Sequence, residues 1–96
     1  MLKAAPVSLV ENNEVRVTEW RFAPGAATGH HRHDFDYLVV PLTDGTLSII
    51  SAAGEAKSEL KAGVAYFRKA GVEHDVINAG NRYLAFVEVE LLDHPG

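Results

Sequence analysis

The sequence predicts an all-β domain, a sandwich or barrel of about eight short strands. Three features carry that expectation. Short runs of strand-forming residues, several with period-two alternation, recur along the chain, and turn residues separate them at close intervals. No window of a dozen residues carries an apolar stripe at i, i+3 and i+4. The best helical candidate, Ala52–Leu60, is too short and is interrupted by Gly54.

The first run, Val7–Val10, leads into the turn signal Asn12-Asn13. Glu14–Phe22 follows, where Val15 and Val17 flank Arg16 and so share one strand face, and Pro24-Gly25 ends it. Tyr37–Leu42 is strongly apolar, but Pro41 has no N–H to give a ladder and is expected at an edge or a bulge. Asp44-Gly45 then separates Tyr37–Leu42 from Thr46–Ser51; both residues tolerate positive φ, which predicts a hairpin joining the two runs. Ala53-Gly54, Ala62-Gly63, Ala70-Gly71 and Ala79-Gly80-Asn81 punctuate the remaining runs, Ala56–Leu60, Val64–Arg68, His74–Asn78 and Tyr83–Leu92. The last alternates cleanly through Phe86-Val87-Glu88-Val89-Glu90-Leu91.

Ninety-six residues fit one domain, 1–96, with no linker or repeat. The absence of cysteine excludes a disulfide framework and a thiolate metal site, so a metal must be held by His, Asp, Glu or Tyr. A net charge of −4 gives no footprint for nucleic acid or an anionic membrane. No apolar run approaches the ~18 residues of a membrane span, and Met1-Leu2-Lys3-Ala4-Ala5-Pro6 has no long apolar stretch of a secretory signal. The expectation is a cytoplasmic protein with a small-molecule ligand or substrate.

Chemistry concentrates in Gly29-His30-His31-Arg32-His33. On a strand His31 and His33 share a face while His30 and Arg32 point the other way. Two imidazoles about 7 Å apart along one face can converge on one metal ion. His74 is the remaining interior histidine and the expected third ligand; His94 reads as a solvated tail residue.

Gly25, five residues, His31-x-His33 and a later Gly45 resemble the first motif of the cupin superfamily. Gly63, Gly71, His74 and Asn78 match the second motif, with Lys69 in place of its proline. The resemblance spans Gly25 to Asn78 and implies a jelly-roll β-barrel with a metal in its mouth. A looser likeness, through Thr28-Gly29-x-His31-x-His33 and Asp36-Tyr37-x-Val39-Val40-Pro41-Leu42, connects the chain to small single-domain cupins associated with β-alanine degradation.

The departure lies at the motif's glutamate. With three residues intervening after His33 stands Tyr37, with four stands Leu38, and the nearest carboxylate, Asp36, has the wrong parity for a continuous strand. Counted from Tyr37, the spacing to Gly45 is also one residue longer than the motif's. Asp36 ligates if a bulge sits at Asp34–Phe35; otherwise Tyr37 looks inward as ligand or acid, or three histidines hold the metal alone with Tyr37 or Asp36 nearby. Beside a divalent cation the Tyr37 phenol would be more acidic than usual. The expected set is His31, His33 and His74 on one divalent ion (Zn, Fe, Ni, Mn or Cu), with Tyr37 as the catalytic candidate.

Asp75, Glu88 and Glu90 read as solvated strand positions; Glu88 becomes the spare carboxylate of the site if its strand faces inward with Phe86. Trp20, Phe22, Tyr66 and Phe67 read as core or barrel lining. Parity points Arg32 outward, while Arg68 shares a face with Tyr66 and can reach the mouth or stay at the surface. The resemblance implies a metal-dependent enzyme on a small organic acid or oxygenated metabolite, of dioxygenase, isomerase or lyase type, or else a binding module without turnover. A core this small, exposed strand edges, and the habit of small cupins lead to an expected homodimer, with Val7–Val10 and Tyr83–Leu92 as the candidate contact.

Overall fold

The computed structural model describes residues 2–92, and His94 lies outside them. Those residues form nine strands and no helix: β1 Ala5–Glu11, β2 Val15–Phe22, β3 His31–Arg32, β4 Tyr37–Pro41, β5 Gly45–Ser51, β6 Gly54–Leu60, β7 Tyr66–Arg68, β8 Glu73–Asn78 and β9 Leu84–Leu91. They build two antiparallel sheets of a jelly roll, ordered β1-β2-β9-β4-β7 and β3-β8-β5-β6. Each predicted run contains a strand. The additional one, β3, has two residues, too few to show alternation.

Turn chemistry explains the local connections. Asn12 Oδ1 accepts from the N–H groups of Glu14 and Val15 at 2.8 and 2.9 Å, closing the β1–β2 turn. Gly54, at φ +109, sits where the β5–β6 hairpin reverses. The hairpin expected at Asp44-Gly45 does not form. Strand β4 pairs with β7 and β9, and β5 pairs with β6 and β8, so Asp44-Gly45 carries the chain from one sheet to the other. Gly45 lacks the positive φ of a hairpin turn; a Cβ there would sit 2.5 Å from Leu84 Cδ1, so its smallness serves packing between the layers. Asp44 Oδ1 instead accepts from the Ala62 N–H at 2.8 Å.

Pro41 closes β4. Leu42 N–H donates to Ala85 on the β9 side, and the Pro41 carbonyl accepts from Gly63 on the other. The N–H that Pro41 lacks would therefore point past the start of β7, where no ladder partner stands.

The core occupies one end of the space between the sheets. Phe22 and Leu84 from one layer meet Leu47 and the polar Asn78 from the other, all nearly inaccessible. The Asn78 amide donates to the Phe22 and Arg82 carbonyls at 3.2 and 2.8 Å, and its Oδ1 accepts from Gly80 N–H. This buried amide ties both layers and the β8–β9 turn together, giving a structural role to a residue that the motif alone only locates. The next inward positions, Val39, Val76, Ile49, Trp20 and Phe86, form the walls of a cavity above that floor.

Candidate metal centre

His31 on β3 lies directly opposite His74 on β8 in the strand register. His33 follows the end of β3 but is held in place by its backbone: its N–H donates to Val72 at 2.8 Å and its carbonyl accepts from Gly71 at 2.7 Å. Gly71 makes that approach at φ +99, which a side chain would strain. The ligand atoms of the three rings lie within 4.8 Å of one another. His31 Nε2 and His33 Nε2 are 3.1 Å apart, a gap that two metal–nitrogen bonds of about 2.0–2.1 Å can bridge.

The donor chemistry fits a divalent transition metal. His31 Nδ1 is 2.9 Å from the Gly29 carbonyl, which can only accept; the ring therefore carries its proton on Nδ1 and turns an Nε2 lone pair toward the other rings. Burial, followed by the neighbouring imidazoles, pushes His33 down to about 4. His74 is lowered to about 4 as well, by burial and then by His31. Both are neutral at physiological pH, the form a metal requires.

Tyr37 lines the same cavity. The strand breaks between His33 and Tyr37, yet the Tyr37 ring stacks on His33 with centroids 3.9 Å apart and planes 19° apart. Without a metal ion, burial first, and then Glu88, raise its phenol well above the ordinary range. The protein alone holds Tyr37 as a proton donor. Asp36 turns away: its Oδ1 accepts from the Ala70 N–H at 2.8 Å.

Glu88 corrects the solvated reading. It is 8% exposed, shares the inward face of β9 with Phe86, and brings Oε1 to 3.9 Å from His33 Nε2. Burial, then Glu90, raises its carboxyl to about 7. Glu90 is half-buried and pairs with Arg16 at 3.2 Å. Asp75 is also not free in solvent; its Oδ1 accepts from the Gly29 N–H at 3.1 Å and steadies the loop before His31. Phe67 is neither core nor lining, since Tyr66 and Arg68 take the inward positions of β7 and leave it 47% exposed on the outer face. Trp20 and Tyr66 do line the cavity, and Phe22 is core. His30 and Arg32 point outward, where Glu73 lies 3.4 and 3.7 Å away.

The cavity encloses about 210 Å³. Its walls are mainly apolar, and its polar lining groups are the three imidazoles, Tyr37, Glu88, Ser51, Thr28 and Arg68. Such a pocket, with few convergent polar groups in an apolar shell, suits a small ligand.

The family model described as "Cupin domain" matches residues 18–90. A Pseudomonas aeruginosa protein named "Beta-alanine degradation protein BauB" is 61% identical over 89 residues, covering 93% of this chain and 94% of the relative. The crystal structure of a cupin domain from Bordetella pertussis superposes with a TM-score of 0.92 at 48% identity, covering 94% of each chain. A Klebsiella pneumoniae protein with a double-stranded β-helix domain has a TM-score of 0.78 at 24% identity, covering 98% of this chain and 81% of that one, a likeness of fold.

Proposed function

This chain belongs to the cupin domain family, and from that premise we propose that it is a metal-dependent enzyme acting on a small organic acid or oxygenated metabolite. One observation carries the reading. Three imidazoles converge on one wall of an apolar cavity, and a buried carboxyl, Glu88, and a buried phenol, Tyr37, line that same cavity. Burying a carboxyl costs stability, and burial raises Glu88 to about 7, where it can take up and release a proton near neutrality.

His31, His33 and His74 would hold the ion, and a divalent metal there would supply Lewis acidity to a ligand oxygen. Zn, Fe, Ni, Mn and Cu all accept such a set. Glu88 Oε1 is the group for taking and returning a proton inside the cavity, and Tyr37 Oη donates a hydrogen bond to the ligand. The apolar walls exclude water around them. The name of the Pseudomonas relative, a β-alanine degradation protein, supports a substrate among small carboxylic acids and a cytoplasmic place of action.

The test is tag-free protein loaded with each of the five metals and offered carboxylic acids of three and four carbons, β-alanine included. NMR should show one acid consumed only with metal present, and no consumption by Glu88→Gln. One equivalent each of metal and acid bound, with nothing consumed, would leave a binding module and overturn the proposal.

A further inference from the structure

We propose that Arg68 is the anion-binding residue of this cavity and seats the carboxylate of a small acid at the mouth beside the histidines. The inference deepens the functional reading and rests on it in taking this cavity as the ligand site.

Arg68 is the one cationic side chain, apart from the imidazoles, among the described residues lining the main cavity. It stands opposite Tyr37 in the β4–β7 register, and its charge acts on both Tyr37 and His74. Arg68 is exposed at the cavity's edge, where its guanidinium carbon lies 4.3 Å from the centroid of the Tyr66 ring and one nitrogen donates to the Phe67 carbonyl at 3.1 Å. Among the described residues no carboxylate comes within 4.0 Å of it. The other arginines near the histidines are neutralised, Arg16 by Glu90 at 3.2 Å and Arg32 by Asp34 at 3.5 Å. A guanidinium on an aromatic face, with donors to spare, is suited to two-point recognition of a carboxylate. The remaining polar groups would then meet the other end of the ligand, so the substrate class is a short-chain carboxylate.

Calorimetric titration of the zinc-loaded protein with propionate, and with propionamide as its uncharged counterpart, tests this. Propionate should bind and the amide should not. Arg68→Gln should weaken propionate about tenfold or more with one equivalent of zinc retained, and Arg68→Lys should recover part of the loss. Equal binding of propionate to Arg68→Gln, equal binding of the amide, or no propionate binding by the wild type would each overturn the assignment. The two readings separate cleanly. Arg68-dependent binding without turnover of any acid defeats the enzyme and keeps the anion site, whereas metal-dependent turnover indifferent to Arg68→Gln does the reverse.

Discussion

Acidifying the metal-free protein should destabilise it with a slope set by three buried groups. Between pH 6.5 and about 4 the unfolded chain protonates His33 and His74, while the folded chain keeps both neutral. Their stabilising contribution is therefore present above pH 6.5 and lost as pH falls toward 4. Glu88 acts in the opposite sense. Its folded value of about 7 lies above the unfolded 4.5, so its contribution is present below pH 4.5 and lost as pH rises through 7. From pH 4.5 to 6.5 the unfolded state thus holds two protons on these groups and the folded state one. One net proton corresponds to a slope of about 1.4 kcal/mol per pH unit; water reaching the rings through the mouth reduces it to about half. Stability should peak near neutrality and fall by roughly 1–3 kcal/mol toward pH 4.5. Urea unfolding at half-unit intervals measures the slope, and Glu88→Gln, which removes the opposing proton, should about double it. A flat profile, or stability rising on acidification in both proteins, would refute this assignment of protons.

Gly45→Ala should cost about 1–3 kcal/mol, because its Cβ meets Leu84 Cδ1 at 2.5 Å, and thermal unfolding should show Leu84→Val recovering part of the loss. A neutral Gly45→Ala would mean the two layers are not so closely packed there. Tyr37→Phe should keep metal affinity within a few-fold but weaken acid binding by about three- to tenfold through loss of the phenol's hydrogen bond, read by titration at neutral pH. Asp36→Asn should leave metal affinity unchanged and cost about 1 kcal/mol through a weaker bond to the Ala70 N–H; a 10–100-fold loss of metal affinity in that variant would return Asp36 to the site.

The histidine cluster was legible because its parts are local or carried by a spaced motif: His31 and His33 are two residues apart, and His74 stands within a second glycine pattern. Tyr37 was legible by parity even though the strand breaks before it, because its ring still stacks on His33. Glu88 was hidden by the same rule. In Val87-Glu88-Val89-Glu90-Leu91 the apolar residues suggest the core face, yet they lie on the outer face of the sheet and the glutamates point in. Binary patterning reports which face avoids water, and an uncovered apolar face reverses its meaning. Phe67 was misread for that reason too. Asp44-Gly45 has the residues of a hairpin turn, but Gly45 is small because Leu84 packs against it from the other sheet, a contact far apart in sequence.

The central claim is one metal ion held by three imidazoles, and its most direct test is elemental analysis of tag-free protein by mass spectrometry. Wild type should carry close to one equivalent of a divalent transition metal. His31→Ala/His74→Ala should carry none while keeping the β-sheet circular dichroism spectrum. One equivalent retained by the folded double variant would contradict the account.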